Sequence, residues 1–95
     1  MRMNDPSLRY RKPAGILQAQ LDEEEVLLNP ETGMYHLVNR TGRFILDRMS
    51  AGETLDQAIR SLSAGAGEDP HRVRGDALSF VEAMTTRGLL EPVTD

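Results

Sequence analysis

Ninety-five residues with 39% hydrophobic and 27% charged side chains allow one globular domain with a modest core and argue against disorder. The absence of Cys excludes disulfides, thiolate metal sites and thiol nucleophiles, and with no Trp, two Tyr and two Phe the core must rest on Leu, Ile, Val, Met and Ala. A net charge of −4 speaks against a general affinity for nucleic acid.

Residues 1–13 have no hydrophobic period and contain Pro6 and Pro13, so they read as a flexible N-terminal arm. Arg2, Arg9, Arg11 and Lys12 make the arm basic, for solvation or for contact with an acidic partner. No apolar segment follows them as a signal peptide would require, and no stretch approaches the roughly 20 apolar residues of a membrane span. The expected location is the cytoplasm. From Gly15 the pattern alternates: Leu17, Ala19 and Leu21 fall on one face of a half-buried strand, Gln18 and Gln20 on the other. Asp22 to Glu24 read as a turn within an acidic, solvated run that ends at Glu25. Glu25 to Asn29 form a second strand. Asn29-Pro30-Glu31-Thr32-Gly33 is a dense turn signal. Met34 to Val38 form a third strand, and the three make an antiparallel meander that needs a layer to pack on.

Helical patterns follow. Asn39 or Thr41 can cap a helix carrying Phe44, Ile45, Leu46 and Met49, which Ser50-Ala51-Gly52 stops. Thr54 and Gln57 have capping-box spacing, ahead of the stripe Leu55, Ala58, Ile59 and Leu62. Ser63 to Gly67 make a loop. Asp69-Pro70 opens a third helix with the stripe Val73, Ala77, Phe80, Val81 and Met84, and Gly88 stops it. Leu89-Leu90 can fold back on the core, and residues 92–95 are a tail. The fold class is α+β: a three-stranded antiparallel meander followed by three helices, winged helix-turn-helix-like.

Catalytic groups are scarce. His36 and His71 are the only histidines and lie on different elements, where packed or solvent-facing roles are the simpler reading. The acidic run Asp22–Glu25 lacks the loop spacing of a cation site. Gly65 and Gly67 lack the Lys-Ser/Thr of a phosphate loop. No nucleophile–His–acid set can be assembled. The expectation is a protein that is not an enzyme, with no cofactor and no metal. A nucleic-acid-binding winged helix is the alternative, but Arg72, Arg74 and Arg87 of the third helix are offset by Asp76 and Glu82.

The segment VLLNPETGMYHLVNRTGRFIL resembles the PqqD family, also called RiPP recognition elements. The turn Asn29–Gly33, the aromatic Tyr35, Val38-Asn39 and Thr41-Gly42 stand in the family's order. Asp76-Ala77-Leu78-Ser79-Phe80-Val81 and Gly88-Leu89-Leu90 resemble its second half. The resemblance covers about residues 15–91, within an expected domain at 14–91. It implies that the chain binds the leader region of a ribosomally synthesised precursor peptide and presents it to a separate maturation enzyme. The Arg-rich stretch His71 to Arg74 and the free-standing length look most like the lasso-peptide branch, whose enzyme is a leader peptidase. The other branch serves a radical SAM enzyme in pyrroloquinoline quinone biosynthesis. A subunit or dimerisation domain of an unrelated complex is the third possibility, and a homodimer is a possible assembly.

By this resemblance the leader adds as a strand beside the third strand, against the third helix. The residues expected to hold it are Met34, Tyr35, His36, Leu37, Val38, Arg74, Ala77, Leu78 and Val81. Either Tyr35 and Leu37 or Met34 and His36 face the core, and the pleat decides which. His36 stands where the family commonly has a second aromatic.

Overall fold

The structure is a computed structural model that describes residues 5–22, 24–67 and 69–93. Its strands are β1 (Tyr10–Arg11), β2 (Leu17–Leu21), β3 (Glu24–Leu28), β4 (Tyr35–Val38) and β5 (Glu91–Pro92). Its helices are α1 (Arg40–Ser50), α2 (Leu55–Ala66) and α3 (Pro70–Thr86). The three longer strands form an antiparallel sheet in the order β2-β3-β4, followed by the helical trio, as the residue pattern predicts.

Local chemistry sets the element ends. Asn39, not Thr41, caps α1, its side chain accepting from the Gly42 N–H at 2.9 Å. The capping box on α2 is formed: the Thr54 hydroxyl accepts from the Gln57 N–H, and the Gln57 side chain accepts from the Thr54 N–H. Asp69 caps α3 by accepting from the His71 N–H, with Pro70 at the first helical position.

The Asn29–Gly33 turn is held by its own side chains. The Asn29 side chain accepts from the Glu31 N–H, and the Thr32 hydroxyl accepts from the Met34 N–H. Gly33 takes a φ of +76°, where a side chain would be strained. The turn closes with the Asn29 N–H on the Met34 carbonyl and the Gly33 N–H on the Asn29 carbonyl. The motif that carries the family resemblance is therefore a device for turning β3 into β4.

Strand register divides the sheet into two faces. Gln18 lies opposite Leu27, Leu27 opposite His36, and Glu25 opposite Val38. Cross-strand partners point the same way, so these residues share the face that meets the helices. Leu27 and Val38 on this face are fully buried. The core continues through Ile45 and Met49 of α1, Leu55 and Ile59 of α2, and Val73, Val81 and Met84 of α3, with Leu89 and Leu90 folded back onto it.

The opposite face carries Leu17, Ala19, Leu21, Val26, Leu28, Tyr35 and Leu37. Here the structure corrects the expected burial. Every residue of β2 is exposed, and Leu17 and Leu21 are each 55% exposed. The helices cover one side of the sheet only, and on that side β2 presents Gln18. Its amide joins Lys12 and Glu25 in a polar chain that ends in a 2.8 Å ion pair between Glu25 and Arg43. Glu25, expected in a solvated run, is 5% exposed and tied into this chain.

The expected N-terminal arm is also corrected over its described part. Tyr10 is buried, and β1 pairs with β5 in a small sheet of its own, Tyr10 opposite Pro92 and Arg11 opposite Glu91. Arg11 forms an ion pair with Glu91 at 2.8 Å, and the Arg9 side chain donates to the Gly52 carbonyl. The carbonyls of Pro6 and Leu8 accept from the Asp56 and Leu55 N–H groups at the start of α2. The arm thus satisfies helix-end donors that would otherwise need water. Pro92, expected to begin a tail, lies in β5; residues 1–4, 94 and 95 are outside the described residues.

Candidate functional site

Strand β4 has β3 on one side only. The Asn29 N–H bonds the Met34 carbonyl, so Met34 directs its main chain at the neighbouring strand. In an antiparallel ladder, pairs that exchange hydrogen bonds alternate with pairs that do not. His36 and Val38 therefore bond to β3, while the N–H and C=O groups of Tyr35 and Leu37 point off the sheet. These are the groups an added strand would use.

The edge opens on a groove of about 420 Å3 lined by Gly33, Met34, Tyr35, His36, Leu37 and Arg87. Arg87, at the end of α3, reaches across it and donates from a guanidinium nitrogen to the Tyr35 carbonyl at 2.9 Å. His36 points inward and meets the edge of the Phe80 ring, with centroids 5.9 Å apart. A second hollow of about 170 Å3 is lined by Asn39, Thr41, Gly42, Ile45, Asp76, Ala77 and Phe80. Phe80 thus borders the hollow with one part of its ring and meets the groove histidine with another.

Gly42 makes this arrangement possible. A Cβ there would lie 2.9 Å from the Phe80 ring and 3.0 Å from a Val38 methyl carbon. Only glycine lets α1 approach both β4 and α3 so closely.

The electrostatics are uneven. Burial pushes the His36 imidazole below its ordinary value, and the nearby Arg87 charge adds to the effect. The ring is neutral at neutral pH, and its buried Nδ1 has no hydrogen-bond partner among the described residues. Nothing acidic lines the groove, so Arg87 is its one charge.

The expected site residues separate into three groups. Met34, Tyr35, His36 and Leu37 come together in the groove, and Ala77 lines the neighbouring hollow. Val38 and Val81 are fully buried and present no surface to a ligand. Arg74 and Leu78 lie elsewhere: Arg74 pairs with Asp56 of α2 at 2.8 Å, and Leu78 packs half-buried against the core. The pleat is decided, with Tyr35 and Leu37 outward and His36 and Val38 inward. Sequence reasoning did not place Arg87 or Phe80 at the site. The signal for Phe80 was its neighbour-dependent partner Gly42; Arg87 had none, because its acceptor lies 52 residues away.

A three-stranded sheet backed by three helices, with the β4 edge opening on a groove, defines a small α+β domain open to strand addition. The chain belongs to the PqqD family: it matches the family described as "Coenzyme PQQ synthesis protein D (PqqD)" over residues 24–90, well over half its length. It is also similar to two solved structures. One is "TbiB1 in Complex with the TbiA(beta) Leader Peptide", 26% identical, with 90% of this chain and 99% of that chain covered and a TM-score of 0.75. The other, "Lasso peptide synthetase B1 complexed with the leader peptide", is 24% identical, covers 88% of this chain and 99% of that chain with a TM-score of 0.78, and speaks to the fold. No curated protein matches the chain.

Proposed function

We propose that the chain captures the leader region of a ribosomally made precursor peptide as an added strand on β4 and presents it to a separate maturation enzyme. The observation that carries this reading is the main chain of Tyr35 and Leu37, directed away from β3 beside a groove. Strand addition takes affinity from main-chain bonds and specificity from side-chain pockets. The Met34, Tyr35 and Leu37 side chains supply apolar contact, and the Phe80–Ala77 hollow can take a side chain from the peptide. Two solved relatives that share the fold were determined with leader peptides bound, which supports the same use here.

On this reading the groove serves binding: its lining is Gly33, Met34, Tyr35, His36, Leu37 and Arg87, with no carboxylate among them. A leader peptidase of the lasso-peptide kind is the favoured partner, because one of the solved structures that share the fold is a lasso peptide synthetase B1 with the leader peptide. The apolar outer face of the sheet adjoins the docking edge through Tyr35 and Leu37, and large exposed apolar patches mark interaction sites. It is the surface we assign to the partner enzyme. The cytoplasm, where precursor peptides are made, is the expected setting; no described helix is long and apolar enough to cross a membrane.

The test is an amide-shift titration with the synthetic N-terminal segment of the precursor peptide encoded nearest this gene. Shifts centred on residues 33–38 and 76–87 at micromolar peptide are expected. Absence of binding, or shifts confined to other surfaces, would sink the reading.

A further inference from the structure

Arg87 occupies an acceptor that an added strand requires. The Tyr35 carbonyl points off the sheet edge and accepts from the Arg87 guanidinium at 2.9 Å. A peptide pairing with β4 brings its own N–H to that carbonyl. The carbonyl oxygen has two lone pairs, so the guanidinium can share it or leave it, and in either case its other N–H donors are available to the arriving chain.

What it would meet there follows from the surrounding charges. Arg11, Arg43, Arg48 and Arg74 each hold a carboxylate, on Glu91, Glu25, Glu53 and Asp56 respectively. Among the described residues Arg87 holds none, and its guanidinium donates to a main-chain oxygen. The groove around it is apolar apart from His36, whose ring is neutral. Its positive charge thus has no carboxylate partner among the described residues, and the side chain stands exposed at the groove. A carboxylate can take two parallel N–H bonds from a guanidinium, a stronger contact than the neutral carbonyl it replaces.

We propose that Arg87 is a specificity residue that reads an acidic side chain of the docked peptide, exchanging its bond to the Tyr35 carbonyl for an ion pair as the peptide strand forms. The acidic residue belongs to the part of the peptide beside Met34 and Tyr35. The inference rests on the reading that a peptide adds to β4. It goes further by assigning charge chemistry to one position of that peptide.

A double-mutant cycle tests it. The full chain, as wild type, Arg87→Gln and Arg87→Lys, is titrated with the same synthetic precursor segment, and with versions in which each Asp or Glu is changed in turn to Asn or Gln. One acidic position should couple to Arg87. Changing either partner should weaken binding about 10-fold, on the order of one charge-assisted contact, and changing both should cost little more than changing one. Raising salt should weaken the wild type more than Arg87→Gln, and Arg87→Lys should retain part of the affinity. Thermal unfolding of each variant confirms that it folds. Equal or tighter binding by folded Arg87→Gln overturns this proposal alone. A wild-type chain that takes up none of the peptides overturns the docking reading and this proposal with it.

Discussion

The two faces of the sheet carry opposite burdens. The inner face includes Gln18, Glu25 and His36, yet it is the one the helices bury. The outer face is almost wholly apolar, yet Tyr35 and Leu37 on it are 57% and 52% exposed. A fold assembled only for stability would have these reversed. The inner face tolerates Glu25 and Gln18 because they are satisfied, Glu25 by Arg43 and Gln18, while His36 keeps its ring neutral and packs on Phe80. The outer face keeps apolar groups in water, at a cost that an interaction surface would recover on binding.

The sharpest way to break this contrast is to truncate one leucine on each face. Leu27→Ala on the inner face should lower the unfolding free energy by about 2–5 kcal/mol, since Leu27 is fully buried. Leu37→Ala on the outer face should stay within about 0.5 kcal/mol of wild type while weakening peptide or partner binding. Urea denaturation and the peptide titration separate the two outcomes. Equal losses of stability would mean that the outer face is covered in solution.

A smaller effect tests the wall between groove and core. Gly42→Ala places a methyl group against Phe80 and Val38, and should destabilise by about 1–3 kcal/mol through overpacking. Because Phe80 also contacts His36, the His36 amide should shift in the same variant. Unchanged stability would show that the Phe80 ring swings aside freely.

The smallest effect concerns the inward histidine. Its folded-state pKa is depressed, first by burial and then by Arg87, so the folded protein binds fewer protons than the unfolded chain once pH falls below the ordinary value of about 6.5. Stability should decline through that window as pH drops, because protonation favours unfolding. His36→Phe should flatten the profile there. A wild-type curve that coincides with that of the variant between neutral pH and the onset of carboxylate titration would remove His36 from this role.

Much of the architecture was legible because it is local. Alternation from Leu17 to Leu21, the Asn29–Gly33 turn, the Thr54–Gln57 box and the Asp69-Pro70 helix start each depend on residues a few positions apart, and each formed. The faces of the sheet were not legible. Alternation tells which residues share a side, but not which side the helices will cover, and Leu17 to Leu21 carried the more apolar side outward. The β1–β5 pair was missed for a different reason: two-residue strands have no period, and their partners are some eighty positions apart. The groove was half legible. Met34 to Leu37 could be placed on a sheet edge from the meander alone. Arg87 could not, because its meaning comes from a carbonyl on another element. Val38, Val81 and Arg74 show the converse, residues of suitable type that the core, for the two valines, and an ion pair with α2, for Arg74, hold elsewhere.

The β1–β5 clasp has a consequence for how such a domain can be mounted. The Val93 N–H donates to the Arg9 carbonyl at 2.8 Å, so the last described residue lies against the segment by which the chain enters the fold. Chain exits that lie together make a domain portable: it can be spliced into a surface loop of a larger protein without prising the host apart. The docking edge of β4 and the clasp are built from different residues, and the clasp is the natural handle by which genetic fusion could tether the groove to an enzyme. Tethering would turn an encounter limited by diffusion into one governed by linker length.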